Sequence, residues 1–125
     1  GFVPAEGSAM LVIERLSHAV ARGATPLAIV AGYGTSGDAY HLTAGDPTGA
    51  GAQAAMGKAL RMAGLSPGDI GYINAHATST EVGDAAEIAA ISGVFTNRGK
   101  DLSISSTKSA TGHLLGSAGA IEAVY

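Results

Sequence analysis

Short apolar runs alternate with helical patterns along this chain, and that alternation restricts it to the α/β class, a sheet with helices on its faces. The runs are residues 8–14 (SAMLVIE), 27–33 (LAIVAGY), 70–75 (IGYINA) and 102–106 (LSISS), each of a length and composition that suits a buried strand. Between them, residues 15–22 predict a short helix stopped by Gly23, and residues 50–63 a longer one stopped by Gly64. Asp46-Pro47 suits the opening of that longer helix, with Asp as cap and Pro in the first turn. Residues 81–95 predict a helix capped by Thr80, with Glu81 and Asp84 in the favourable first turn. Residues 35–49 predict a long loop, residues 66–69 and 97–100 predict turns, and residues from 112 onward predict a last helix. Neither a repeat nor a linker divides the chain.

Composition narrows what such a domain can do. Charged residues make up 14% and hydrophobic residues 46% of the 125 residues. A free-standing domain carries about 25% charge, so part of this surface is expected to be covered by more protein. The net charge is −3 with no basic run, which excludes nucleic acid as a natural partner. Nor does any apolar run approach the roughly 18 residues of a spanning helix. Without cysteine the chain has no disulfide, no thiolate metal site and no cysteine nucleophile of its own.

Ligands in open α/β sheets meet the carboxyl ends of strands. Two polar segments leave such ends. The first is Asn74-Ala75-His76-Ala77-Thr78-Ser79-Thr80, a histidine and three hydroxyls ahead of a helix start. A loop histidine with Thr80 as a simple cap accounts for this segment equally well. The second runs from Ser105 through Lys108 to His113. A position near a helix start, with Lys108 close by, favours a neutral imidazole, which can donate from one ring nitrogen to a developing oxyanion. A surface lysine and a capping histidine are the plainer account. Gly112, Gly116 and Gly119 are spaced to share one helical face, which predicts close approach of another backbone. Glu122 is a lone acid in an apolar helix, facing solvent or paired with a cation such as Lys108. His18, with Arg15 and Arg22, reads as a solvated face. His41 and Asp38 are too few ligands for a metal cage. Gly32-x-Gly34-x-x-Gly37 has the letters of a dinucleotide motif, but a proline-containing loop follows it instead of a helix, so the motif is rejected.

The stretches GFVPAEGSAMLVIERLSHAVARGA, YGTSGDAYHLTAGDP, YINAHATSTEVGDAAEIAAI and SSTKSATGHLLGSAGAIEAV resemble consecutive blocks of elongating β-ketoacyl-acyl-carrier-protein synthases. The resemblance covers essentially the whole chain, and NAHATST followed by SSTKSATGH is specific to that group. Ala77 stands where many members have glycine and some organelle members have alanine.

The resemblance implies a thiolase-like, layered α/β/α/β/α fold with helices packed on a mixed sheet. Residues 1–34 would close the first half of that fold and residues 35–125 would form part of the second. The implied reaction is a decarboxylative Claisen condensation between malonyl carrier protein and an acyl-enzyme thioester in fatty acid elongation. His76 and His113 match the two catalytic histidines, Lys108 the essential lysine, and Thr78 and Thr80 the hydroxyls that hold the phosphopantetheine arm. Glu122, Asp84, Glu87 and Asn74 match the supporting polar residues. No metal or cofactor is implied beyond the substrates' phosphopantetheine arm. Acyl carrier protein is the implied partner, with a homodimeric full-length enzyme in the bacterial cytoplasm, a mitochondrion or a plastid. The family's cysteine nucleophile falls before Gly1 and a glycine-rich oxyanion segment after Tyr125, so the chain alone is expected to be an inactive fragment with exposed apolar surface. A non-catalytic partner subunit and a polyketide ketosynthase domain are the alternatives; retention of both histidines favours an active synthase. A stand-alone carrier-protein-binding module fits poorly, because carrier proteins are acidic and so is this chain.

Overall fold

The computed structural model describes residues 1–96 and 101–125, so the turn expected at residues 97–100 lies outside the described part. In chain order the elements are α1 (Leu16–Ala21), α2 (Ala50–Ala63), a 3-10 turn (Pro67–Asp69), β1 (Tyr72–Asn74), α3 (Glu81–Val94), β2 (Ser103–Ser105), α4 (Lys108–Thr111), a second 3-10 turn (Leu115–Ser117) and α5 (Ala118–Val124). Among the described residues no helix is long and apolar enough to cross a membrane.

The strands β1 and β2 pair in parallel, with Tyr72 opposite Ser103 and Asn74 opposite Ser105. Amide bonds from Ser103 to the Gly71 carbonyl (3.0 Å) and from Ala75 to the Ser105 carbonyl (2.7 Å) carry the ladder past both ends. Instead of a mixed sheet, the described residues hold this parallel pair and one isolated parallel bridge between Pro4 and His113. The runs at 8–14 and 27–33, expected as strands, form none. A strand is defined by a partner, and none of the described residues supplies one to these segments. Their side chains are correspondingly bare: Met10 is 93% exposed and Leu27 fully so.

Small residues set the packing of α2 on α3. Gly49, left-handed at φ 66, sits where α2 starts, and a Cβ there would lie 2.4 Å from the Ala86 carbonyl oxygen. Gly49, and not Asp46, therefore occupies the cap of α2. Asp46 instead caps its own turn, accepting from the Thr48 amide (2.8 Å) and hydroxyl (2.7 Å), which hold its carboxyl below the usual carboxylate range. On the far side of α2, a Cβ at Gly34 would lie 1.9 Å from the Ala55 carbonyl oxygen, and one at Gly32 would lie 2.5 Å from that of Ala59. The first two glycines of the rejected dinucleotide motif thus let segment 27–34 lie directly on α2. Gly34→Ala is expected to lower the melting temperature, by a cost of at least ~1–3 kcal/mol for forcing backbone apart. Gly37→Ala, with nothing within 4 Å of its added methyl, serves as the neutral control. A melt that treats the two alike removes this account.

The last helix is broken where one continuous helix from 112 was expected. Gly112 (φ 73, ψ −175) ends α4, and its chain direction lets His113 run beside Pro4. Of the expected glycine face, Gly112 alone meets a neighbour: a Cβ there would lie 2.7 Å from that of Ala5, while Gly116 and Gly119 have nothing within 4 Å. On α1, His18 is exposed as expected and its Nδ1 lies 2.6 Å from Glu14 Oε2. Arg22 binds the same carboxylate and, with His18, holds Glu14 below the usual carboxylate range.

The core is thin and built of small residues, with Ala19, Ala75, Ala90 and Ala118 buried beside Ile91, Phe95 and Leu114. The accessible surface is 8645 Å². A compact chain of 12.2 kDa would expose about 6,000 Å². Exposed apolar side chains such as Met10, Val12 and Leu27 contribute to the excess, as the low charge content predicts.

Candidate active site

The parallel register brings the carboxyl ends of β1 and β2 together, and both polar segments leave from there. Beyond β1, Ala75 is buried and His76 emerges at the edge of the loop. Glu87, on the second turn of α3, holds that loop: its two carboxylate oxygens accept from the amides of His76 and Ala77, each at 2.7 Å. The clasp forces a tight turn, in which Ala77 has φ 25 and Ser79 φ 63. Glycine reaches such angles without a Cβ penalty, so Ala77 bears a backbone cost here that a glycine would not. Thr80 does occupy the cap of α3, but its side chain makes no capping bond; its hydroxyl lies 3.0 Å from that of Thr78.

Beyond β2, Lys108 is 7% exposed and its Nζ forms an ion pair with Glu122 on α5. A buried ammonium is retained only where it is paired, so this contact ties α4 to α5. Asn74 joins them, donating from Nδ2 to the Glu122 carbonyl oxygen at 3.2 Å. Among the described residues, Asn74 Oδ1, Asp84 Oδ1 and Thr107 Oγ1 are buried without a hydrogen-bond partner.

His113 is fixed on four sides. Its amide donates to the Val3 carbonyl (2.8 Å), and its carbonyl accepts from the Ala5 amide (3.0 Å). The Phe2 ring stands edge-on to the imidazole, with centroids 4.8 Å apart. The Leu115 amide donates to Nδ1 at 3.1 Å. A nitrogen that accepts this bond carries no proton, so the ring's proton sits on Nε2. Local hydrogen bonding, and not a long helix start, therefore sets the form of this ring. His76 and His113 come together, their ring centroids 5.4 Å apart and their planes at 88°.

A cleft of about 500 Å³ opens beside this pair, with Phe2, Thr78, Lys108 and Thr111 among its lining. A second cavity of about 310 Å³ lies between α3 and β2, against Asp84 and Glu87. Every site residue that the family resemblance carries over falls on the two strand ends or the segments that follow them. The strap of residues 1–5 was missed, because nothing local to it announces contact with a residue more than 100 positions away. His41 and Asp38 form no ligand set: His41 Nδ1 accepts from the Thr43 amide (3.2 Å) and Asp38 Oδ2 from the Asp46 amide (3.0 Å). Among the described residues no cluster of three metal-binding side chains exists.

Two imidazoles that meet beside a strand-end cleft can stabilise negative charge on a ligand oxygen. Comparison with known proteins agrees in family. Residues 27–125 match the model of the β-ketoacyl synthase C-terminal domain. The chain is similar to 3-oxoacyl-[acyl-carrier-protein] synthase 2 of Staphylococcus aureus, 54% identical over 125 residues, which cover all of this chain and 31% of the relative. Two solved structures share its fold. The ishigamide ketosynthase/chain length factor aligns over 99% of this chain and 30% of its own at TM-score 0.91 and 39% identity. A ketosynthase in complex with its type II polyketide acyl-carrier protein aligns over 89% of this chain and 27% of its own at TM-score 0.84 and 40% identity. The chain thus spans about a third of the length of the relatives it matches, in the thiolase-like α/β class. It belongs to the β-ketoacyl synthase family, of which residues 27–125 form part of the C-terminal domain.

Proposed function

We propose that this chain supplies the two-histidine oxyanion site of a 3-oxoacyl-[acyl-carrier-protein] synthase. The observation that carries the reading is the His76–His113 pair, with rings 5.4 Å apart and the Leu115 amide donating to His113 Nδ1. A malonyl thioester oxygen seated between the rings accepts from both. As the malonyl C–C bond breaks, CO2 leaves and the electron pair moves onto that oxygen as an enolate, which the imidazoles stabilise without a prior proton transfer. The enolate carbon then attacks an acyl thioester: the new C–C bond forms, the C–S bond breaks, and the thiolate departs. The chain has no cysteine, so the residue bearing that acyl group comes from elsewhere in the complete enzyme.

Thr78 and Thr80 hold the phosphopantetheine arm with their adjacent hydroxyls. Lys108, oriented by Glu122 and Asn74, steadies the wall beside the histidines, while Glu87 sets the His76 loop. The partner is acyl carrier protein, and the complete enzyme pairs as a dimer in the bacterial cytoplasm. Lys108 and Arg22 are each spent on a carboxylate here, so the basic surface that attracts the acidic carrier protein comes largely from outside this span. A polyketide ketosynthase is the second reading, favoured by the two solved structures; the higher identity to the fatty acid enzyme sets it behind.

The test is a complete synthase carrying this span, given malonyl carrier protein labelled in the free carboxyl and an acyl carrier protein. Labelled CO2 and a product longer by two carbons are expected in equal amounts. Absence of both, from a folded enzyme with its cysteine acylated, overturns the reading.

A further inference from the structure

The backbone of Ala77 stands at φ 25, short of even the small left-handed well, at about +50 to +70, that residues with a Cβ can enter. Such a residue persists only where its surroundings over-determine it. Here the surroundings are the Glu87 carboxylate, which accepts from the amides of His76 and Ala77 at 2.7 Å each. Rotation about φ of residue 77 turns the peptide that joins His76 to Ala77 against the chain that runs on into α3. The Ala77 N–H belongs to that peptide and Glu87 rides on α3, so the clasp bears directly on this angle. The Ser106 hydroxyl reaches the Ala77 carbonyl only at 3.5 Å, too long to hold the turn by itself. His76, whose ring stands 5.4 Å from that of His113, is joined to the same peptide.

We propose, on the reading of His76 as an oxyanion donor, that Ala77 and Glu87 form one positioning device: the alanine strains the turn, and the carboxylate overcomes the strain to keep His76 against His113. Residue 77 thereby sets how far the site depends on Glu87. Two charge-assisted bonds outweigh one strained residue, so the turn is held while the carboxylate is present. Without it, an alanine drives the turn towards an ordinary angle and carries His76 away, whereas a glycine has no such preference. A glycine is also freer in the chain, which alone would loosen the loop, but that effect is the smaller of the two.

The experiment crosses Glu87→Gln with Ala77→Gly in a complete synthase carrying this span. It reads kcat, KM for malonyl carrier protein and the urea midpoint of the four enzymes. Glu87→Gln alone keeps the shape and removes the charge; it is expected to lower kcat roughly tenfold or more with KM little changed, the pattern of a donor lost from the transition state. In the Ala77→Gly background the same change should lower kcat only about two- to threefold. Ala77→Gly should raise the urea midpoint while Glu87 is present, and raise it less in the Glu87→Gln enzyme, where the strain is already released. Equal losses in the two backgrounds overturn the proposal, as does a larger loss beside the glycine, which would make chain freedom the governing effect. Should Glu87→Gln fold only together with Ala77→Gly, that rescue supports the proposal; failure to fold in both backgrounds overturns it. The oxyanion reading fails separately, if His76→Ala condenses at full rate, and the urea midpoints do not depend on that outcome.

Discussion

In a complete synthase carrying this span, His113→Ala lowers kcat for condensation by about 100- to 1,000-fold, the loss seen when one preorganised oxyanion donor is removed. The substitution leaves the fold in place, because two of the four contacts that seat this residue are made by its backbone. Its amide bond to Val3 and its carbonyl bond from Ala5 need no imidazole. What goes is the Nε2–H donor, the acceptor of the Leu115 amide at Nδ1 and the edge contact with Phe2. His76→Ala gives a loss of the same order, since Glu87 grips the loop through the main chain and keeps its shape without the ring. Both losses fall on kcat, as expected for bonds that strengthen only when charge develops on the substrate oxygen. The double variant loses less than the product of the two single losses, because groups that act on one oxygen act as a unit. Full turnover in either single variant would sink the two-donor site.

How much of this was legible before any coordinates depended on how local each feature is. Residues 70–75 and 102–106 contain strands where the apolar runs put them, since each finds its parallel partner in the other. Residues 8–14 and 27–33 have as strong a strand composition and form no strand, because pairing is a property of two segments and composition belongs to one. The break at Gly112 shows the same limit. Its neighbours favour helix, but the close approach of Ala5 and Val3 from the far end of the chain decides the angle. Phe2 was invisible for that reason. The Lys108–Glu122 pair stood as one of two options, because an isolated acid on an apolar helix also suits solvent; the burial of Lys108 settles which. Glu87 and Asp84 entered through the family likeness. The signal available for Glu87 was an acid on the second turn of a helix behind a polar loop, which many surface helices share.

The Lys108–Glu122 pair allows stability to be separated from chemistry. The Lys108 side chain is 4% exposed and that of Glu122 16%, so removing one partner strands a buried charge. Glu122→Leu or Lys108→Met alone is expected to cost about 3–5 kcal/mol of unfolding free energy. The double variant should recover most of it, because replacing both charges with apolar groups of similar size is often neutral or stabilising. Asn74 favours this recovery, since it binds the Glu122 carbonyl oxygen and keeps that bond whatever side chain stands there. Urea unfolding of the four enzymes of the cycle in the complete synthase measures the coupling directly. Condensation should not recover with stability, because the lysine that lines the cleft is gone in the double variant. A single variant as stable as the parent would show that the charge is not held as buried as the contact implies. A double variant that is both stable and fully active would reduce Lys108 to a structural residue and leave the oxyanion work to His76 and His113 alone.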